Sequence, residues 1–312
     1  MSALEVPVAA PAVNVNLSGR VAVLTGATGG MGSVIALELA RAGAHVVILA
    51  RTPARADALG RRIRAQGVEG ALEVIAADMT RRSDVLNAAA TIAERHHQVH
   101  LVVNNAGAHF RDRQLSPDGV EMHIALDYLA GYGLTTALAG QLRRGHARVV
   151  NVASDTLNDT RQLKLLGPAR PATLDLDGVS TLSQLNPAAG FKAFEAYARA
   201  KLMSVTAGHA LAERLAPEGV TVNAVHPGIV ATDIIDDLVP ALLKPFSALI
   251  RRSMLTPEQG AHAALRLATD PALEGVTGRY YNRDMPTTTP PVAYDPTVQQ
   301  QLLGLSDAHF GR

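Results

Sequence analysis

TGATGGMG, Thr25 to Gly32, follows the apolar run VAVLT at 21–25 without a break. Its glycines Gly26, Gly30 and Gly32 have the spacing G-x-x-x-G-x-G and lie at the mouth of a predicted helix. Glycine lets the backbone approach a pyrophosphate, and a helix N-terminus offers unpaired N–H groups and the positive end of the helix dipole. A tight strand–helix connection would also explain such a turn, but its place after a first strand predicts dinucleotide binding. No Lys-Ser/Thr pair follows, so a P-loop for ATP or GTP is not expected.

Outward from this turn, apolar β-branched runs alternate with helical patterns almost to the end of the chain. The runs are nearly continuously apolar, as strands covered on both faces must be. This alternation predicts an α/β fold, a Rossmann-type doubly wound parallel sheet of about seven strands with helices on both faces. The predicted strands are 21–25, 45–49, 72–76, 101–104, 148–152, 220–225 and a short one near 279–281. The predicted helices are 31–43, 54–66, 82–96, 119–143, 194–215 and 258–269.

The domain organisation predicted from this pattern is simple. We expect a flexible N-terminal tail at 1–16 and a single Rossmann domain at 17–284. Within it, residues 155–193 form a Gly- and Pro-punctuated insertion, which we expect to serve the substrate site. Residues 285–312, opening with MPTTTPPVAYDP, form a C-terminal tail that we expect to pack on the domain. Loops of this length inside a compact domain are usually functional or disordered.

The composition excludes several kinds of function. With 312 residues, 47% of them apolar, and a net charge of +1, the chain can build a core and offers no electrostatic case for nucleic acid. The lack of cysteine excludes disulfides, thiolate metal sites and cysteine nucleophiles. The N-terminus lacks the features of a signal peptide, and the apolar run at 129–142 is too short to span a bilayer. We expect a cytoplasmic protein with no transmembrane segment.

Histidines offer few candidates. His96 and His97 end an exposed helix and lack a carboxylate at ligand spacing, so no metal site is predicted. His109 is a candidate for lining a substrate pocket, although loop histidines usually have no such role.

A set of apolar positions after HPG suggests a lid helix over a lipophilic substrate. Core packing or docking on a membrane surface would explain the same pattern. These positions are Leu238, Leu242, Leu243, Phe246 and Leu249.

The end of the second strand refines the cofactor. A carboxylate there would accept the ribose 2′-OH of NAD, whereas arginine accommodates the 2′-phosphate of NADP. The sequence reads ILAR, with Ala50 in the acidic position and Arg51 next. Arg51 could instead face solvent, but we favour NADP(H) over NAD(H). After the third strand, Asp78 in AADMT is placed either to accept the adenine amino group or only to form the turn.

The pentapeptide YARAK places Tyr197 one helical turn before Lys201. Positions i and i+4 share a helix face, so the phenol and the ammonium can point into one site. Alone, such a pair is most often an amphipathic surface pair. The other interpretation is an acid/base pair in which the lysine lowers the pKa of the tyrosine. Ser154 follows an apolar strand, so its hydroxyl should emerge at the carboxyl-end crevice, where such sheets bind ligands.

Taken together, these motifs resemble the short-chain dehydrogenase/reductase family. The set comprises TGATGGMG, NNAG at Asn104 to Gly107, NVAS ending at Ser154, YARAK, and HPG at His226 to Gly228. Order and spacing agree over roughly residues 18–282. The insertion before YARAK, the HPGIVATDI run and the GVTGRYY segment look most like the retinol-dehydrogenase-like branch.

The resemblance implies roles for individual residues. Tyr197 would be the general acid/base, and Lys201 would hold the nicotinamide ribose and depress the pKa of Tyr197. Ser154 would hydrogen-bond the substrate oxygen, and Asn104 would help to position the cofactor. The cofactor-binding residues implied by the resemblance and the cofactor motifs are Gly26, Thr28, Gly30, Met31, Gly32, Arg51, Asp78, Met79, Asn105, Ala106, Gly107, Tyr197, Lys201, Pro227, Gly228, Ile229 and Thr232.

One position departs from the family pattern. The long helix after the fourth strand usually carries an asparagine that holds a water of the proton relay, and here IALDYLAG has Asp127 in that place. An aspartate could accept from the same water and act only as an isostere. As an anion, it would instead raise the pKa of Lys201 and weaken the pull on Tyr197. We therefore count Asp127 among the candidate catalytic residues.

The function predicted from the resemblance is an NADP(H)-dependent oxidoreductase. It would interconvert an alcohol and its ketone or aldehyde on a lipophilic small molecule, mainly as a ketoreductase, in a homodimer or homotetramer. Two alternatives stay open. Asp127 leaves room for a non-redox isomerase, dehydratase or cyclase on the same fold, and a nucleotide-binding sensor without turnover is the third possibility.

Overall fold

The structure is a computed structural model that describes residues 13–68, 72–161, 167–231 and 254–312. In these residues the strands form one eight-stranded sheet. The strands are β1 (Val21–Thr25), β2 (His45–Ala50), β3 (Leu72–Ala76), β4 (Leu101–Asn104), β5 (Arg148–Val152), β6 (Thr221–His226), β7 (Tyr280–Asn282) and β8 (Met285–Pro286).

The order of the sheet is β3-β2-β1-β4-β5-β6-β7-β8, and every pairing from β3 to β7 is parallel. The predicted doubly wound parallel sheet of about seven strands is confirmed. Only the two-residue β8, which pairs antiparallel with β7, was not predicted. Because β1 lies between β2 and β4, the strand order reverses there, and the carboxyl ends of β1 and β4 open a crevice suited to ligands.

Helices cover the sheet on both faces. The helices are α1 (Gly30–Arg41), α2 (Pro53–Arg64), α3 (Arg82–Arg95), α4 (Ala130–Ala137), α5 (Ala139–Gly145), α6 (Ala193–Leu215), α7 (Pro257–Thr269) and α8 (Pro296–His309). One apolar core joins α1, α2 and α7 to one face, and a second joins α3, α4, α6 and α8 to the other. Alternate residues of a strand divide between the two cores: Val46 and Ile48 point to the first core, Val47 and Leu49 to the second.

The helical stretch after β4 differs from the predicted helix at 119–143. It begins with a π-helical segment, Ile124–Leu129, which runs directly into α4. The backbone leaves helical geometry at Leu138, with φ −91° and ψ 7°, before α5 continues to Gly145. A π-helical segment changes the direction in which the following side chains point, and such segments occur frequently at functional sites.

The segment predicted as a C-terminal tail contains the regular helix α8. Asp295 caps it, accepting from the Thr297 backbone N–H at 2.8 Å, and Pro296 occupies the first helical position. Ser306 and Asp307 of α8 hydrogen-bond the hydroxyls of Tyr128 at 2.5 Å and Tyr132 at 2.7 Å. The helix therefore contacts the same helical stretch that follows β4.

The remaining segments connect these elements. The insertion at 155–193, described except for 162–166, is mostly irregular and buries leucines, including Leu174 and Leu176, against the second core. Most of the predicted N-terminal tail lies outside the described residues. No helix in the described part of the chain is long and apolar enough to cross a bilayer.

Candidate active site

Three of the four predicted catalytic residues, Ser154, Tyr197 and Lys201, meet at the carboxyl edge of the sheet. Ser154 follows β5, and Tyr197 and Lys201 lie one turn apart on α6. All are buried, with Tyr197 only 6% and Lys201 only 3% exposed. The Lys201 Nζ atom lies 5.6 Å from the centre of the Tyr197 ring, and the Ser154 hydroxyl is close enough to act on the pKa of the phenol. An amphipathic surface pair is excluded for Tyr197 and Lys201, because both residues are buried.

Lys201 is held by two oxygen atoms. Its Nζ donates to the backbone carbonyl of Val152 at 3.1 Å and lies 3.2 Å from Asp127 Oδ1. The same Asp127 oxygen accepts from the Ala108 backbone N–H at 3.1 Å, and the carboxylate is fully buried. The π-helical segment carries Asp127 to this position. Asp127 and Lys201 therefore form a buried ion pair behind Tyr197.

Burial and charge act against each other in this cluster. Burial raises the pKa of Tyr197 above its ordinary value, Asp127 adds to the rise, and Lys201 and Ser154 oppose it. The sequence predicted that Lys201 lowers this pKa; Lys201 acts in that direction, but burial outweighs it. Burial alone would lower the pKa of Lys201, but Asp127 and Tyr197 raise it above its ordinary value. Burial likewise raises the pKa of Asp127, with Lys201 opposing.

Gly107 lets the loop after β4 pass close to this ion pair. A Cβ atom at position 107 would lie 2.5 Å from Asp127 Oδ1 and 3.1 Å from Lys201 Nζ. Real Cβ atoms do not approach an oxygen that closely, so any side chain here would displace the carboxylate or the ammonium. The glycine of NNAG is thus required by the ion pair.

The glycine-rich turn fits a dinucleotide. Gly26 has a φ of +67°, which favours glycine, and a Cβ there would lie 2.8 Å from Ala106 Cα. Asn105 holds the turn, since its side-chain amide donates to the carbonyls of Thr25 at 3.1 Å and Gly26 at 3.0 Å. No side chain caps α1 at Gly29, and a Cβ at Gly29 would meet no atom within 4 Å. The start of α1 therefore has no side-chain cap, and its first N–H groups are suited to a phosphate group.

The predicted cofactor-binding residues that follow β2, β3 and β4 differ in how exposed they are. Arg51 is exposed at the end of β2, while Met79 is buried after β3. Asp78 uses one oxygen to form its own turn, accepting from the Thr80 N–H at 3.0 Å and the Thr80 hydroxyl at 2.7 Å. Asn104 lies inside the fold, donating to Asn151 of β5 at 2.8 Å. Asn104 thus supports the sheet, and its neighbour Asn105 shapes the crevice.

The loop after β6 carries the last group of predicted cofactor-binding residues. Gly228 has a φ of +95°, and a Cβ there would lie 2.5 Å from Leu255 Cδ1. Ile229 is 62% exposed beside it, and its carbonyl accepts from the Leu255 N–H at 2.9 Å. Thr232 and the predicted lid positions Leu238 to Leu249 lie outside the described residues.

A buried polar pair beside Tyr197 was not predicted. His123 is fully buried, with its ring centre 5.9 Å from that of Tyr197. Its Nε2 atom accepts from the Phe110 N–H at 3.0 Å, so its Nδ1 carries the proton donated to Glu121 Oε1 at 2.7 Å. The other oxygen of Glu121 accepts from the Asn186 side chain at 2.8 Å. The pair thus joins the insertion to the wall of the site.

Aromatic rings line that wall. The ring centre of His109 lies 5.9 Å from that of Tyr197 and 6.4 Å from that of Phe194. Phe110 packs edge-on against His123 at 5.2 Å, and Phe191 stacks on the same imidazole at 6.5 Å. The sequence GVEMHIALDYLAG offered a signal for the Glu121–His123 pair, because these two polar residues come just before a mostly apolar helical stretch. His109, named as a candidate for the pocket, lies beside Tyr197.

Comparisons with known proteins agree with this geometry. A family model described as short chain dehydrogenase matches residues 20–162, and one described as enoyl-(acyl carrier protein) reductase matches residues 177–285. Human polyprenol dehydrogenase is 31% identical over 290 residues, which cover 91% of this chain and 82% of that protein. Bovine retinol dehydrogenase 12 is 31% identical over 296 residues, covering 94% of this chain and 87% of that protein.

A solved structure is similar over most of the chain. It is the crystal structure of a Beutenbergia cavernae protein described as an NAD(P)-dependent gluconate 5-dehydrogenase, with NADP bound at low occupancy. The two chains are 27% identical, with a TM-score of 0.64 over 86% of this chain and 96% of that one.

Proposed function

The chain belongs to the short-chain dehydrogenase/reductase family, and from that membership we propose an NADP(H)-dependent oxidoreductase of lipophilic alcohols and carbonyls, working mainly as a ketoreductase. The observation that carries the proposal is the buried convergence of Ser154, Tyr197 and Lys201 at the carboxyl edge of the sheet. Each of the three has a chemical task in the reduction of a carbonyl group.

The proton of the reaction comes from Tyr197. A carbonyl oxygen placed between Tyr197 and Ser154 would accept a hydrogen bond from each hydroxyl, and the phenol would release its proton as negative charge develops on that oxygen. The Lys201 ammonium stabilises the phenolate that remains. A bound reduced nicotinamide would supply the hydride. Because burial raises the pKa of Tyr197, the phenol holds its proton near neutral pH, which supports the reductive direction.

The crevice supports a nicotinamide dinucleotide. Gly26, Asn105 and the uncapped start of α1 would hold the pyrophosphate, and Lys201 would hold the nicotinamide ribose. Ala50 offers no carboxylate to a ribose 2′-OH, and the exposed Arg51 would pair with a 2′-phosphate. The NADP named with the Beutenbergia cavernae protein supports the same choice. The predicted homo-oligomeric state and cytoplasmic location stay predictions.

The substrate class follows from the wall beside Tyr197. The ring of His109 packs near those of Tyr197 and Phe194, and Phe110 and Phe191 pack against His123 beside the same tyrosine. Such a wall favours apolar substrates over sugars or acids. The relatives named after a polyprenol and after retinol point to the same class. We therefore propose a long-chain or polycyclic ketone or aldehyde as the substrate.

The test is a reductase assay with a panel of lipophilic ketones and aldehydes, in which loss of NADPH absorbance is followed. We expect turnover with at least one carbonyl, and Tyr197→Phe should lose at least ~10²-fold in kcat while it still binds NADPH. Tyr281→Phe is the matched control, because Tyr281 is buried in the core on the other face of the sheet. Conversion of substrate without any change in NADPH would favour a non-redox enzyme. NADPH binding without conversion would favour a sensor.

A further inference from the structure

Three potential metal ligands meet at the amino edge of the sheet, opposite the active-site edge. His45 opens β2, Glu73 is the second residue of β3, and His96 follows the last residue of α3. Glu73 Oε2 lies 3.1 Å from His45 Nε2 and 2.8 Å from His96 Nε2. The ligand atoms all lie within 4.8 Å of one another. His96 has no carboxylate at ligand spacing along the chain, but the sheet brings Glu73 beside it.

The pleat of the sheet explains why these side chains converge. Glu73 pairs in register with Val47, and alternate residues of a strand share a face, so His45, Val47 and Glu73 point to the same side. That side carries α3, whose buried residues pack with Val47. The end of α3 consequently brings His96 down beside the other two side chains. The arrangement is a product of the fold and not of spacing along the chain.

The surroundings of Glu73 prepare one of its oxygens for a ligand. Arg95 Nη1 donates to the other oxygen, Oε1, at 2.7 Å, which fixes the carboxylate and leaves Oε2 between the two imidazoles. Outer hydrogen bonds of this kind orient metal ligands. The last carbonyls of α3 carry the negative end of its dipole, which together with the carboxylate offsets the charge of Arg95. His45 is 42% exposed, so an ion can enter from solvent.

We propose that His45, Glu73 and His96 bind one divalent transition-metal ion, with Zn²⁺ the best match to the donors. Two imidazole nitrogens and one carboxylate oxygen are a common protein donor set for zinc, and water would complete a tetrahedral site. The ion would link the edge strand β3 to β2 and α3. Because Tyr197 and Ser154 lie at the opposite edge of the sheet, bound metal should raise the unfolding temperature and leave turnover unchanged.

The test uses protein without a polyhistidine tag, freed of metal with a chelator and titrated with Co²⁺, whose visible absorption reports its coordination. We expect binding of about one equivalent, displacement by Zn²⁺, and a Zn²⁺-dependent rise in unfolding temperature. His96→Gln should weaken Co²⁺ binding at least ~10-fold and abolish the rise. His97→Gln is the matched control, because His97 is the adjacent, exposed histidine outside the cluster.

Two outcomes would overturn the site. Equal Co²⁺ affinity in His96→Gln and His97→Gln would place the ion elsewhere, and the absence of stoichiometric binding by the unaltered protein would leave His45, Glu73, His96 and Arg95 as an ion-pair network only. Circular dichroism checks that His96→Gln is folded. If it is not, His45→Gln takes its place, since the partly exposed His45 side chain can be changed with little loss of packing.

Discussion

Replacing Asp127 by asparagine tests the electrostatics of the site with little change in shape. Asparagine keeps an Oδ1 atom that can still accept from Lys201 and from the Ala108 N–H, so the geometry of the loop and of the lysine should survive. What disappears is a negative charge that raises the pKa of Tyr197. In the proposed reduction Tyr197 must carry its proton, so the rate should fall as pH rises through the pKa of the phenol. Asp127→Asn should therefore move the basic limb of the reductive pH–rate profile to lower pH.

The size of the effect follows from two distances. Asp127 Oδ1 is 3.2 Å from Lys201 Nζ, which is 5.6 Å from the centre of the Tyr197 ring, so the carboxylate oxygen lies within about 9 Å of that centre. At an effective dielectric constant of about 20, a unit charge at about 9 Å is worth about 2 kcal/mol. The limb should move by on the order of one pH unit. Alcohol oxidation, which needs the phenolate, should improve near neutral pH.

The assay records kcat in both directions across the pH range for the unaltered protein, for Asp127→Asn and for Asp307→Asn. Asp307 is the control, because it also accepts a hydrogen bond from a tyrosine hydroxyl but lies on α8. Superimposable profiles for the unaltered protein and Asp127→Asn would refute the reasoning, since the charge of Asp127 would then not reach Tyr197. A shift of the basic limb to higher pH would refute the sign.

Three further changes test other parts of the structure. Arg51→Ala should weaken NADPH binding at least ~10-fold and leave NADH binding unchanged, because a charge-assisted phosphate contact is worth ~1.5–3 kcal/mol. Fluorescence titration of both cofactors measures this, with Arg55→Ala, also at an exposed arginine, as the control. Equal losses of affinity for both cofactors would contradict the role of Arg51. Glu121→Gln should lower the free energy of unfolding by about 1.5–3 kcal/mol, since the buried carboxylate that accepts from His123 and Asn186 is lost. Chemical denaturation measures this, and an unchanged denaturation midpoint would contradict the structural role of the Glu121–His123 pair. Gly133→Ala should lower the free energy of unfolding by about 1–3 kcal/mol, because its Cβ would enter the Phe310 ring. Adding Phe310→Leu to this variant should recover part of the lost stability. If no stability is recovered, the strain does not arise at Phe310.

The sequence predicted the sheet well because its strands are covered on both faces. The predicted strand at 45–49 extends by one residue to Ala50, and 72–76, 101–104 and 148–152 keep their bounds. Continuous apolar runs between turn signals leave little freedom in where such strands begin and end. The same alternation of strands and helices places Ser154 after β5, and Tyr197 and Lys201 on the helix that follows.

Features that depend on packing between distant segments were not predictable in this way. The helix α8 was hidden because its start, Asp295-Pro296, follows a Pro-rich run that reads as a loop. The contact of Glu121 with His123 and Asn186 joins a helix start to an insertion 65 residues further on. The upward shift of the Tyr197 pKa depends on burial, which spacing alone does not report.

The π-helical segment Ile124–Leu129 fixes how its own side chains are rotated about the helix axis relative to those of α4, which continues from it. Asp127, inside the segment, faces Lys201, and Tyr132, just after it, faces α8. Loss of a single residue from this segment would restore a regular helix and turn one part relative to the other by about 100°. One of the two contacts must then be given up. The number of residues in the segment therefore decides whether Asp127 can reach Lys201 while Tyr132 contacts α8, and deletion of one of its residues should break one of the two contacts.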